Sequence, residues 1–283
     1  MKRLAIIVAV GIGVFAPACI VRAQSQGPIT PSNKNEVKKG TAQPETAAPP
    51  PMPVDDLIHR VALNEDRMKK AYDQYSFTQS VKVTEESNPG GEFFVTGEMY
   101  LKSDGERYER IVKQPVSTLK QTAFTLEDVK TIASMPLFFL TTGELTNYKY
   151  KYQGTEKMDE LDTYVVRVQP KTFSRKEKFF DGVIWVDQRD FAIVKSSGRF
   201  VQEVEAEGSR LPFSMFDTYR ENIAGQYWFP TYISSEDTIT PPKSESIPMK
   251  LVVRSSNFQP NPIPVNAAPA NGNNASGAPA KPN

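Results

Sequence analysis

FFDGVIWVDQRDFAIVKSSGRF, residues Phe179 to Phe200, decides the fold. Two runs rich in β-branched and aromatic residues flank the polar tetrapeptide Asp187-Gln188-Arg189-Asp190, which has the length of a hairpin loop. Patterns of this kind recur through most of the chain, so the reading is one large antiparallel sheet.

Working outward, the alternation Tyr75, Phe77, Gln79, Val81, Val83, the turn Asn88-Pro89-Gly90-Gly91 and the run Phe93 to Lys102 predict a second hairpin. Further strands are expected at Glu106 to Val112, Tyr148 to Gln153, Tyr164 to Gln169, Val183 to Val186, Phe191 to Ser197, Arg199 to Glu205, Phe213 to Arg220, Tyr227 to Glu236 and Met249 to Ser255. Ahead of them Leu57, Ile58, Val61, Met68, Ala71 and Tyr72 share one helical face, with Asp55-Asp56 as the cap, which gives an amphipathic helix of about five turns. Leu126 to Met135 reads as a shorter helix. A sheet of roughly ten or eleven strands cannot stay flat, because twist accumulates until it curls, splits or closes. The fold class is mainly β (α+β): a single curled antiparallel sheet forming a half-open barrel, covered by one long N-terminal helix and a short second helix. No linker-like stretch interrupts residues 55–258, so they form one domain.

The flanks are of a different composition. Residues 1–23 have the plan of a signal peptide: Lys2 and Arg3, the apolar run Leu4 to Phe15, and Val21-Arg22-Ala23 before the cut. Residues 24–54 are a Pro/Ala-rich spacer and 259–283 an Asn/Pro/Ala-rich tail; both read as disordered, since neither can bury a core. Ala16-Pro17-Ala18-Cys19 matches a bacterial lipobox poorly, so leader removal is preferred to lipidation of Cys19, the other reading. Removal after Ala23 leaves no cysteine, and with it no disulfide, thiolate metal site or cysteine nucleophile. It also removes Lys2, Arg3 and Arg22, which turns the formal charge of +1 into −2, and no long basic run remains to bind nucleic acid. The expected location is exported and periplasmic, with peripheral or lipid-anchored attachment to the outer membrane as the variant.

Catalytic chemistry finds little support. His59 is the sole histidine and stands beside Ile58 and Arg60 without a metal-binding pattern. Asp181, Asp187 and Asp190 flank hairpin strands, where turn chemistry is preferred to a calcium site. Gly11-x-Gly13 lies in the leader with no strand before it. The expectation is a non-enzyme without cofactor or metal. A curled sheet with apolar helices over its hollow suits an elongated apolar ligand. The candidate contacts are Tyr100, Trp185, Phe213, Phe216 and Trp228 on strands, with Phe138, Phe139 and Leu140 after Pro136 as lid.

Tyr75-x-Phe77-Thr78-Gln79, Gly97-x-Met99-Tyr100, Val168-Gln169-Pro170-Lys171, Gly182-x-Ile184-Trp185-Val186-Asp187 with Phe191-Ala192-Ile193-Val194, and Tyr227-Trp228-Phe229-Pro230-Thr231 together resemble the LolA/LolB periplasmic lipoprotein-carrier superfamily over Tyr75 to Ser255. The resemblance implies an unclosed barrel with helices as a lid, sheltering acyl chains of a lipoprotein or other lipid on the way to the outer membrane. A sixteen-carbon chain then needs on the order of 12 kcal/mol of apolar shelter. A functional arginine is also implied; Arg107 and Arg110, beside Tyr108, are the strand-borne candidates and read as solvated positions. The alternative is a non-catalytic envelope sensor or interaction module that uses the same fold to bind a protein partner, such as an envelope membrane protein, through an edge strand.

Overall fold

The structure, a computed structural model, describes residues 49–87, 89–101, 107–133, 135–202, 213–240 and 245–261. The leader with Cys19, most of the spacer and the tail beyond Asn261 lie outside the described residues. The first element is α1, Val54–Tyr72. Its buried residues Leu57, Ile58, Val61, Ala62, Glu65, Met68 and Tyr72 recur every three or four positions and so line one face. Pro53 occupies the N-cap without a side-chain bond, which corrects the capping role expected of Asp55 and Asp56. Both lie in the first turn, with Lys69 and Lys70 in the last, where each sign meets the favourable end of the helix dipole.

Ten strands follow: β1 Tyr75–Glu85, β2 Glu92–Leu101, β3 Arg107–Ser117, β4 Tyr148–Met158, β5 Leu161–Pro170, β6 Phe179–Asp187, β7 Ile193–Val201, β8 Met215–Ile223, β9 Tyr227–Ile239 and β10 Ile247–Pro260. They form one antiparallel sheet in the order β3-β2-β1-β10-β9-β8-β7-β6-β5-β4, and its edges β3 and β4 do not pair, so it is not closed into a barrel. Phe191–Ser197 and Arg199–Glu205, expected as two strands, are served by one: β7 runs through Gly198, which stands opposite Gly182 of β6. A Cβ on Gly182 would meet the Ser197 carbonyl oxygen at 2.3 Å and the Phe180 ring at 2.4 Å. The facing glycines therefore make room for Phe180, on which Phe139 stacks with ring centroids 4.1 Å apart.

The strand order dictates what covers the sheet. β3 and β4 are consecutive in sequence yet lie at opposite edges, nine strand spacings apart. At ~4.8 Å per spacing the connection, residues 118–147, must travel across the sheet's face. It carries α2, Leu126–Ala133, then the Phe138-Phe139-Leu140 run and a 3-10 turn at Leu145–Asn147. On the face under this connection and α1, alternate strand residues build three apolar clusters.

On the other face Trp185, Lys195, Tyr219, Tyr232 and Arg254 stand directly opposite one another across β6 to β10. The Lys195 ammonium lies 4.5 Å from the Trp185 ring and 5.1 Å from that of Tyr219, and the Arg254 guanidinium 4.7 Å from that of Tyr232. Cation–aromatic stacking gives these large side chains cross-strand partners on the outward face.

Helix, sheet and crossing chain meet at one buried ion pair. Arg220 of β8 and Glu65 of α1 are each 1 % exposed. Arg220 Nη1 and Nη2 donate to the two Glu65 carboxylate oxygens, and Nη2 donates to the Leu137 carbonyl at 3.0 Å. The guanidinium also lies 4.9 Å from the Phe138 ring centroid. Removing one partner leaves an uncompensated buried charge, so Arg220→Met or Glu65→Leu alone is expected to cost about 3–5 kcal/mol, and the double replacement to recover most of it. Urea unfolding of the three variants measures this; a double variant as unstable as the sum of the singles would show that the two charges are not coupled.

Candidate functional site

An apolar cavity of about 120 Å³ lies between the inner face of the sheet and the crossing chain. Phe77 and Val81 of β1, Met99 of β2, Phe216 of β8, Ile233 of β9 and Leu251 and Val253 of β10 form the sheet side of the wall. Val129 and Ile132 of α2, with Met135, Pro136, Leu137 and Phe139, form the opposite side, and Tyr72 of α1 contributes its ring. Gln79, Ser196 and Thr218 bring polar atoms; among the described residues no charged side chain lines the wall. Such a wall suits hydrocarbon and has no counter-charge for a head group.

Of the residues singled out from sequence, Phe139, Phe213 and Phe216 line this cavity together. Phe213 sits at φ 59° and its backbone N–H donates to the Asp237 carboxylate at 2.8 Å, a contact that holds an uncommon conformation for a bulky residue. Phe138 packs edge-on against Tyr72, 5.3 Å between centroids, and Leu140 is buried beside Phe180 and Ile184; both serve the core around the cavity. Trp228 is buried in another cluster, where its indole N–H donates to Asp190 at 2.8 Å. Trp185 belongs to the outward row, with its indole N–H on Glu156 at 2.8 Å. Tyr100 follows Met99, which lines the cavity, so strand alternation turns it to the outward face. Arg110 is exposed and pairs with Glu98, and the side chain of Arg107 lies outside the described residues. His59 is exposed on α1.

Residues that sequence reasoning missed hold the roof of the cavity in place. Buried Glu85, at the end of β1, accepts backbone N–H bonds from Lys120, Gln121 and Thr122, each at 2.8 Å, and the Thr122 hydroxyl at 3.0 Å. Burial pushes its carboxyl up, but the three backbone donors and the hydroxyl outweigh this and hold it below the ordinary carboxylate range. Arg220 and Glu65 fasten the other end at Leu137. Between these clamps α2 buries Val129, while Ile132 and Met135 are half-buried. Parity could have found all three anchors: Glu65 falls on the Val61 and Met68 stripe, Arg220 alternates with Phe216 and Thr218, and Glu85 with Val81 and Val83.

The Asp187–Asp190 turn also faces inward contacts. Asp190 takes the Trp228 indole on its carboxylate and the Asn64 side-chain amide of α1 on its carbonyl. Among the described residues no group of three or more His, Cys, Asp or Glu side chains is placed to hold a metal ion.

No family model matches the chain, and no curated protein matches it. Among solved structures it is similar to a DUF1329 family protein from Desulfovibrio piger, 15% identical over 72% of this chain and 92% of that one, with a TM-score of 0.40. It is also similar to a domain described as an outer membrane lipoprotein-sorting protein from Vibrio parahaemolyticus, 11% identical over 70% and 91% of the two chains, TM-score 0.36. A LolA superfamily protein from Nitrosomonas europaea is 16% identical over 71% and 94%, TM-score 0.29. These are distant likenesses of fold.

Asp187 is 2 % exposed, and burial followed by the neighbouring Asp190 carboxyl pushes its pKa up to about 6, with Arg189 at 3.9 Å opposing weakly from the surface. A carboxyl that holds its proton more tightly when folded stabilises the fold below its unfolded pKa near 4 and loses that contribution as pH rises through about 6. Stability is expected to fall by up to roughly 3 kcal/mol between about pH 4 and pH 7 from this group, and Asp187→Asn to flatten that part of the profile. Chemical denaturation at a series of pH values reads it, and an unchanged profile in the variant would assign the dependence elsewhere.

Proposed function

We propose that this protein is an exported, periplasmic binding protein that shelters the acyl chain of a lipoprotein or other lipid and moves it toward the outer membrane. The observation that carries the reading is the uncharged apolar cavity beneath a crossing chain clamped at its two ends, at Glu85 and at Arg220 with Glu65. In the conformation described the volume, about 120 Å³, is close to the ~150 Å³ that takes one benzene ring and below the ~300–1,000 Å³ of pockets for drug-sized ligands. Loading therefore requires α2 and its flanks to lift from the sheet. α2 is suited to this, because among its described residues Val129 is buried and Ile132 is the one half-buried apolar side chain, whereas α1 is held by seven buried residues. In this reading Phe139, Phe213 and Phe216 touch the acyl chain, and Phe138 and Leu140 keep the roof anchored while α2 swings.

The small volume favours a second reading, an envelope sensor or interaction module whose interior stays filled and which binds a protein through an edge strand. Native mass spectrometry of residues 24–283 purified from bacterial envelopes, with organic extraction, separates the two. A discrete lipid or lipopeptide adduct is expected, with Ile132→Trp, which fills the cavity from α2, weakening binding of a fluorescent fatty-acyl probe about tenfold or more. A clean apo mass without probe binding would turn the assignment to the interaction module.

A further inference from the structure

Two hydroxyls stand in the floor of the cavity, in a row of the sheet that is otherwise hydrocarbon. Ser196 of β7 and Thr218 of β8 lie directly opposite each other across the strand pair, 2 % and 6 % exposed, and both line the cavity. Ile184 and Val166 continue their row to β5, and Ile233, Val253, Val81 and Val95 continue it through β9, β10 and β1 to β2. Apart from the pair, the row is thus β-branched and aliphatic throughout.

Packing alone does not call for oxygen at these two places. Valine has the shape of threonine and would continue the row, whereas a hydroxyl taken out of water costs free energy unless it finds a partner. Other buried serines of the inner face have one: Ser235 donates to the Met215 carbonyl, and Ser255 accepts the Gln79 side-chain amide at 3.5 Å. Among the described residues no hydrogen bond engages the hydroxyl of Ser196 or Thr218, and the space beside them is the cavity. The nearest buried cation along β8, Arg220, is committed to Glu65 and the Leu137 carbonyl.

We propose that Ser196 and Thr218 seat the neutral carbonyl group of a long-chain ester or amide, as the specificity-determining residues of the cavity. Each hydroxyl can donate to the carbonyl oxygen and keeps lone pairs that accept an amide N–H. A carboxylate or phosphate is disfavoured there, because its charge would be buried without a counter-charge. The pair sits toward one end of the cavity, whose sheet wall continues over β9, β10 and β1 to β2, so hydrocarbon attached to the carbonyl runs beneath α2 toward Met99. Seating a carbonyl here rests on acyl-chain carriage, the function proposed above, and adds which polar group accompanies the chain.

Displacement of the fluorescent fatty-acyl probe from residues 24–283 by methyl dodecanoate, dodecanamide, dodecane and dodecanoate tests it. The ester and the amide are expected to bind about fivefold or more tightly than dodecane or dodecanoate. Ser196→Ala with Thr218→Val should remove the preference for the ester over dodecane, and Thr218→Ser should keep it. The double change should not lower the melting temperature, because alanine and valine fit an aliphatic row. A pair that served packing alone would leave the ratio of ester to dodecane binding where it was. Equal binding of ester and dodecane by the native chain, tightest binding of dodecanoate, or a preference that survives the double change would each overturn the assignment and leave acyl-chain carriage standing. Failure of the probe and of all these compounds to bind would overturn both.

Discussion

The Glu65–Arg220 pair is the contact on which the rest of the architecture depends. Two charges sealed from water are tolerated only when each satisfies the other and the remaining donors find acceptors. Here a third N–H goes to the Leu137 carbonyl, so the pair reaches three segments at once: α1, the middle of the sheet and the crossing chain. An apolar contact at the same place would tolerate sliding by a rotamer. A forked guanidinium against a carboxylate does not, so α1 is held at a defined position over β8.

The second constraint is topological. Because the first and last strands, β1 and β10, pair in the interior of the sheet, the hairpin arm β3-β2-β1 ends at one edge and the chain must restart at the other. The connection cannot avoid the inner face, and that face is where the sheet presents its apolar side chains. A cover over the sheet thus follows from strand order, and the cavity follows from the cover being thin: eight residues of α2 and a short apolar run bridge a surface contributed by six strands. The clamps at Glu85 and Arg220 stand at the two ends of this cover, and between them the described residues of α2 bury Val129 and half-bury Ile132.

Much of this was legible locally. The period of two in Tyr75 to Val83 and in Val183 to Val186, and the three-to-four spacing from Leu57 to Tyr72, identify their elements because one face of each is buried. Gly198 misled, since glycine marks turns more often than strands; its role became clear only opposite Gly182, with the Phe180 ring over both. The aromatic candidates divided for a similar reason. Phe216 faces the cavity from β8 and Phe213 from the turn before it, while Tyr100 and Trp185 face outward from their strands; hydrophobicity alone cannot choose a face when cations such as Lys195 and Arg254 stack on outward rings.

By itself the sequence determined the element types, their order and the antiparallel character of the sheet, because these are written in spacings of two to four residues and in short turns. Only the tertiary structure decided that β1 pairs with β10, that the crossing chain roofs the inner face, and that Glu65 meets Arg220 across 155 positions of sequence. Those outcomes depend on which distant surfaces are buried together, and a buried charge reads locally like an exposed one until its partner is in place.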